Sequence, residues 1–338
     1  MKILVTGGLG FIGSHTVVEL QNKGYEVVIV DNCSNSSPDV IKGITTVTGK
    51  QPIFEQFDLR EKEKVQDFFT RHNDIEGVIH FAASKAVGES VEKPLLYYEN
   101  NLSTLVYILQ QLTDKASANF IFSSSCTVYG QADELPITEN APVKVAESPY
   151  GNTKQIGEEI IRDSCKVSLG LKAIALRYFN PIGAHPSAEI GELPIGVPQN
   201  LVPFITQTAI GLREQLSVFG DDYPTADGTC IRDYIHVVDL AKAHVVALQR
   251  LLENKNSTNY EVFNVGTGTG SSVLEVIQSF EKVSNQKLNY KIVDRREGDI
   301  TAAFADTSKA NNELGWKASS SLDDSLSSAW KWEQKVRN

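Results

Sequence analysis

The amino-acid sequence predicts an α/β fold, a doubly wound parallel sheet with a smaller C-terminal α/β domain. Three observations carry that expectation. Apolar runs and helical patterns alternate through the first half of the chain, which requires a parallel sheet covered on both faces. The first apolar run, from Lys2, flows into Gly7, Gly10 and Gly13, spaced by two residues, and then into a helical pattern. The next run, Glu26 to Val30, ends in Asp31. A strand that turns sharply into a helix, with its backbone open to a pyrophosphate, needs glycine at such positions. The helix start adds free N–H groups and a positive dipole, and an acid at the next strand tip accepts hydrogen bonds from a ribose with a free 2′-hydroxyl. These are marks of a Rossmann-type sheet. Asp31 would repel a 2′-phosphate, so NAD is favoured over NADP.

The elements follow in order. Strands are expected near residues 3–7, 26–31, 52–57, 77–83, 119–125 and 172–177, separated by helices near 12–22, 61–71, 94–115 and 149–165. Ligands bind such sheets beyond the carboxyl ends of the strands, where Gly7, Asp31, Ala82, Ser125 and Asn180 fall. After Pro181 the pattern loosens into Gly- and Pro-rich stretches, including Gly191 to Pro198, before shorter elements resume. Residues 1–180 are therefore expected to form the dinucleotide domain and 181–338 the substrate domain, with 232–260 able to return to the first sheet. A second glycine cluster, Gly266 to Gly270, also precedes a helix, but no acid-tipped strand follows it. Ser272 with Glu275 forms a capping box there, which explains the cluster as a structural turn.

Composition narrows the function. A length of 338 residues suggests about two domains, and 41% hydrophobic content without a long apolar stretch describes a soluble protein. A net charge of −10 with no basic tract argues against nucleic acid as a partner, and no segment addresses a membrane. The first strand begins at Lys2, leaving no room for a signal peptide, so a cytoplasmic location is expected. Cys33, Cys126, Cys165 and Cys230 lie far apart without metal-type spacing, so neither a disulfide nor a metal site is expected.

Tyr150 and Lys154 stand four residues apart, hence on one face of a helix that Ser148 can cap and Pro149 can start. A neighbouring cation favours a phenolate, so a lysine together with a positively charged nicotinamide would make the tyrosine a base near neutrality. Ser123, Ser124 and Ser125 end the preceding strand in hydroxyls. A serine there, Ser125, can hydrogen-bond a substrate oxygen and pass its proton to the tyrosine. The bland alternatives are a solvated helix face and ordinary strand-end hydroxyls.

With these residues the chain resembles the extended short-chain dehydrogenase/reductase superfamily and, within it, the UDP-galactose (UDP-glucose) 4-epimerases, over nearly its whole length. Val5 to Gly8 through Gly13 to His15, Asp31-Asn32, Phe81 to Ala83, Ser123 to Gly130 and Ser148 to Gly151 mark the superfamily. Lys85 to Ser90, Arg177 to Pro181, Arg232 to His236 and Arg296-Glu297-Gly298-Asp299 narrow it to the epimerases. The resemblance implies that Gly7, Gly10, Phe11, Ile12, Gly13, Asp31 and Asn32 cradle NAD, with Asp58 and Leu59 at the adenine. Asn35 and Lys85 would reach the cofactor's phosphates and riboses, Phe81 and Ala82 would line its groove, and Asn100 and Phe179 would help seat it. On the sugar-nucleotide side, Asn180 and Asn200 would meet the diphosphate region, with Leu201 also carried over to substrate. Phe219 would meet the uracil, Arg232 and Arg296 the two phosphates, and Asp299 the uridine ribose. Guanidinium pairs suit a diphosphate, and an acceptor-only carboxylate suits ribose hydroxyls. The bland readings are a surface ion pair of Arg232 with Asp233 and a core role for Phe219. Cys126 departs from the epimerase pattern, where alanine is common. Cys126-Thr127 also replace the Asp-Glu pair by which related 4,6-dehydratases eliminate water.

The implied activity is reversible interconversion of UDP-glucose and UDP-galactose through a 4-keto sugar, with Tyr150 as base, Ser125 as relay and Lys154 stabilising the phenolate and holding the nicotinamide ribose. Another UDP-sugar epimerase, for uronic acids or pentoses, and a catalytically silent NAD-binding sensor are the rival readings. The resemblance also implies a homodimer, through the helices near 94–115 and 149–165. Four residues past Asp299 stands Ala303, where a small residue accompanies acceptance of UDP-GlcNAc and UDP-GalNAc in the family. The alternative there is ordinary packing, with Phe304 filling the gap.

Overall fold

In a computed structural model, described for residues 1–296 and 298–337, alternation holds through the first half. It runs β1 (Lys2–Thr6), α1 (Phe11–Asn22), β2 (Glu26–Asp31), α2 (Val40–Thr48), β3 (Ile53–Gln56), α3 (Lys62–Arg71) and β4 (Ile75–His80). Then come α4 (Val87–Glu92), α5 (Pro94–Leu112), β5 (Ala118–Ser125), α6 (Pro149–Val167), β6 (Leu171–Tyr178) and β7 (Asn180–Ile182). The remainder comprises α7 (Leu201–Ala209), β8 (Leu216–Phe219), β9 (Ile231–His236), α8 (Val237–Leu252), β10 (Tyr260–Val265) and β11 (Gly270–Ser272). It closes with α9 (Val273–Ser284), β12 (Tyr290–Val293), β13 (Ala302–Ala303) and α10 (Leu322–Arg337). Glu297, part of the Arg296 to Asp299 segment, lies outside the described residues.

Seven parallel strands form the main sheet in the order β10-β6-β5-β4-β1-β2-β3. The strand order reverses between β1 and β4, which is where such a sheet opens a crevice for a ligand. Successive side chains serve opposite faces. Ile3 and Val5 pack with Val17 and Val18 of α1 and Leu240 and Leu248 of α8, whereas Leu4 packs with Phe68 of α3, Leu105 of α5 and Ile161 of α6. Burial on both faces is why these strands read as nearly continuous apolar runs.

Helix α2 was not legible in the sequence, because Gly43 and the run Thr45 to Thr48 lower helix propensity. Packing decides it. Ile44 is buried in the α1 side of the core, and a Cβ at Gly43 would stand 2.3 Å from the Glu189 carbonyl oxygen. The segment 232–260 divides: α8 and β10 join the main sheet, while β9 centres a second sheet with β7, β11 and β13. Ala310, Leu314 and Trp316 also return to the main core. A separate core of Val202, Ile205, Val276, Phe280 and Leu326 binds α7, α9 and α10 together. The second glycine cluster wraps the fully buried Asp233, whose carboxylate accepts from the Thr267 N–H (2.8 Å) and the Gly268 N–H (3.1 Å). The Ser272 and Glu275 capping box is formed. No described helix is long and apolar enough to cross a membrane.

Candidate active site

The loop after β1 is shaped by close approach. Gly7 has φ +66°, and a Cβ there would stand 2.8 Å from the Ala82 nitrogen, at the end of β4. Gly13 is tighter still, since its Cβ would come 2.3 Å from the Gly7 carbonyl oxygen. Only hydrogen fits at either position. Gly10 caps α1 with no side chain, which leaves the first-turn N–H groups at Phe11 and Ile12 available to an anion. Asp31 accepts from the Leu9 N–H (3.1 Å), the Cys33 N–H (2.9 Å) and Ser36 Oγ (2.9 Å), so it ties this loop to the one after β2. Asn32 Nδ2 donates to Asp58 Oδ2 (3.1 Å), and Arg60 beside Asp58 holds that carboxyl down at about 2. Leu59 is buried beside it, Asn35 is exposed, and Asn100 donates to Ser84 Oγ (3.3 Å). Phe81 packs its ring against His244, with centroids 4.7 Å apart.

Ser125 ends β5, and Tyr150 and Lys154 rise from the first turns of α6. The Gly151 N–H donates to the Ser148 cap (3.2 Å) and Pro149 opens the helix. All three side chains are buried, Lys154 at 4% exposure. Its Nζ donates to the Ser123 carbonyl (2.6 Å) and stands 5.8 Å from the Tyr150 ring centroid. Burial pulls the ammonium down to about 8, and Glu158 partly opposes this. Burial also raises the Tyr150 phenol well above its ordinary value, Tyr178 adds to the rise, and the hydrogen bond with Ser125 counters it. The phenol is thus a proton carrier that needs added positive charge to ionise.

The remaining candidate residues come from the second sheet, from β8, from the start of α7 and from the segment before β13. Arg296 Nη2 donates to Asp299 Oδ1 (2.7 Å), and Arg232 Nη2 lies 3.7 Å from the same oxygen. Arg232 therefore pairs with Asp299 rather than with Asp233. Phe219 is 40% exposed and lies 5.7 Å below the Arg296 guanidinium, so it is not a core residue. Asn180 sits in β7, beside β9. Asn200 and Leu201 start α7, and Asn200 Nδ2 donates to Glu192 Oε1 (2.7 Å). Lys85 Nζ reaches the same Glu192 oxygen (3.5 Å). Ala303 is in register with Arg232, is 3% exposed and packs with Val128, Tyr129 and Phe179. Phe304 lies instead against Gly270, where a Cβ would stand 3.1 Å from its ring.

Sequence reasoning missed the polar frame behind the site. Glu158 accepts from Ser124 Oγ (2.5 Å) and from Arg177 through Nε (2.9 Å) and Nη2 (2.5 Å). Arg177 Nη1 donates to Tyr129 Oη (3.0 Å), which donates to Asn264 Oδ1 (2.6 Å). Glu158 lies four residues beyond Lys154 on α6, and that helical spacing was the available signal. Asn101 was also missed. It donates to Thr153 Oγ1 (3.0 Å) and to the Ser84 carbonyl (3.0 Å), fastening the loop after β4 to α6.

A phenol and an ammonium beside a strand-end hydroxyl, in a chain with a glycine-shaped loop after β1, are the residue types that a nucleotide-dependent site for oxidising and reducing an alcohol requires. A family model described as GDP-mannose 4,6 dehydratase matches residues 4–328. The UDP-glucose 4-epimerase of Bacillus subtilis (strain 168) is 51% identical over 338 residues, 100% of this chain and 98% of the relative. The crystal structure of UDP-glucose 4-epimerase from Bifidobacterium longum in complex with NAD+ and UDP has a TM-score of 0.95 and 46% identity, with 100% and 99% of the two chains covered. That from Stenotrophomonas maltophila, with bound NAD and formylated UDP-arabinopyranose, has a TM-score of 0.95 and 47% identity, with 100% and 99% covered. The chain belongs to the UDP-glucose 4-epimerase family of extended short-chain dehydrogenase/reductases.

Proposed function

We infer that this chain is an isomerase that interconverts UDP-glucose and UDP-galactose by inverting carbon 4, with NAD held throughout. The observation that carries the reading is the buried Tyr150 and Lys154 pair in the first turns of α6, with Lys154 bonded to the end of β5, in a chain whose loop after β1 has glycines that leave room for nothing larger. That loop, the start of α1 and Asp31 suit a pyrophosphate and a ribose. When bound, NAD supplies a reversible hydride acceptor for carbon 4. Tyr150 takes the 4-hydroxyl proton, directly or through Ser125, and Lys154 stabilises the phenolate. Arg232 and Arg296 hold the diphosphate while the 4-keto sugar turns its other face. Phe219 meets the uracil, and Asp299 accepts from the uridine ribose. The first 180 residues supply the cofactor half and the second sheet the sugar-nucleotide half, in a cytoplasmic homodimer joined through α5 and α6.

The small side chain of Ala303, with Phe304 turned to Gly270, supports a second substrate pair, UDP-GlcNAc and UDP-GalNAc. Purified protein offered UDP-galactose and UDP-N-acetylgalactosamine in parallel tests both statements. The expected result is conversion of each to its 4-epimer without net consumption of NAD. Failure with UDP-galactose defeats the main reading, and failure with the N-acetylated sugar alone defeats the second.

A further inference from the structure

One carboxylate spans the two ligand halves. Glu192 lies between the Gly191 turn and the start of α7, and its side chain is 12% exposed. It accepts from Asn200 Nδ2 (2.7 Å) and pairs with Lys85 Nζ (3.5 Å). Its backbone is fixed independently, because Trp332 Nε1 donates to the Glu192 carbonyl (2.9 Å) and a Cβ on Gly191 would stand 2.5 Å from the Trp332 ring. Lys335 on the same helix pairs with Glu189 (2.5 Å). The carboxylate is thus planted by α10 where Lys85, from the loop after β4, and Asn200, from α7, meet.

A negative charge placed beside two diphosphate sites serves neither as a ligand for them. Its donors, however, have capacity to spare: an ammonium carries three N–H bonds and a side-chain amide two. Each can keep one on Glu192 and offer the rest to a phosphate or a ribose hydroxyl. We propose that Glu192 is a positioning residue that couples the cofactor to the sugar nucleotide, so that occupation of either half orders the donor used by the other. This rests on the assignment of Lys85 to the cofactor and Asn200 to the diphosphate. Coupling between sites is reciprocal, and its sign here is positive, since a donor already held in place costs less to order a second time.

The test uses the holoenzyme. Release of NAD after rapid desalting is followed by an enzymatic assay specific for free NAD, with and without UDP, in the unmodified protein, Glu192→Gln, Lys85→Ala and Asn200→Ala. UDP should slow NAD release by about tenfold in the unmodified protein, within the usual range of coupling between sites. In Glu192→Gln, which keeps an acceptor for Asn200 but loses the negative charge that faces Lys85, the factor should fall below about threefold, with turnover at saturating UDP-galactose largely kept. Full coupling in Glu192→Gln, or none in the unmodified protein, overturns the proposal while leaving the site assignment intact. Unchanged NAD retention in Lys85→Ala together with unchanged UDP affinity in Asn200→Ala would instead overturn the assignment, and the proposal with it.

Discussion

Tyr150 lies in surroundings that make it a weaker acid than a free phenol, so the proposed chemistry depends on what is put beside it. Replacing it with Phe keeps the ring and removes the proton-carrying oxygen. Turnover of UDP-galactose should fall by about a hundredfold or more, the scale of a lost general base, and near-normal turnover in a folded Tyr150→Phe protein would remove the residue from the mechanism. Lys154 titrates at about 8, so its positive charge is lost as the pH rises through that value, and turnover should decline there. In Lys154→Met the rate should be low throughout and that decline absent. Ala303 poses a different question, because it is packed against Phe179 and Tyr129 as well as lying beside Arg232. Ala303→Tyr should depress the UDP-N-acetylgalactosamine reaction by about tenfold or more relative to UDP-galactose, the discrimination a filled pocket gives. Equal loss of both reactions would mark Ala303 as a packing residue only.

The two glycine clusters have similar composition, yet their surroundings differ. In the first, Gly7 lies against the backbone of Phe81 and Ala82 after β4, and Gly13 of α1 lies against the Gly7 carbonyl. In the second, the carboxylate of Asp233 already fills the turn, and a Cβ at Gly266 would stand 2.4 Å from its Oδ2. Gly13→Ala should therefore destabilise the protein by about 1–3 kcal/mol through overpacking and abolish NAD retention during purification. Ser272→Ala, which removes the cap of α9, should cost about 1 kcal/mol and leave the Michaelis constant for UDP-galactose unchanged. Thermal melts and kinetics on both variants check this contrast, and a Ser272→Ala protein that lost NAD would assign the second cluster to the cofactor.

Across the whole molecule, His15, His80 and His244 are enclosed as neutral imidazoles, held down to about 3, 3 and 4 chiefly by burial. The unfolded chain takes up protons on these side chains near pH 6.5, whereas the native chain refuses them until much lower pH. Stability is therefore complete above that value and falls with acidification, by roughly 2 kcal/mol per enclosed histidine by about pH 5. The urea midpoint measured near neutrality and again at about pH 5 should drop accordingly, and an unchanged midpoint would mean that the native fold admits the protons. None of this enclosure was visible in the spacing of the histidines. What the sequence determined by itself was local: the strand-to-helix glycines, the acid at the strand tip, the cap and proline of α6, and the helical spacing of Tyr150 and Lys154. Each follows from backbone geometry within a few residues, so a single chain segment encodes it. Only the tertiary structure decided that Gly43 belongs in a helix, that Arg232 turns to Asp299, that Glu158 joins Ser124 to Arg177, and that Glu192 meets both Lys85 and Asn200. Those outcomes rest on groups far apart in sequence competing for the same hydrogen-bond partners and the same space, a competition that is settled only when the sheets and helices pack.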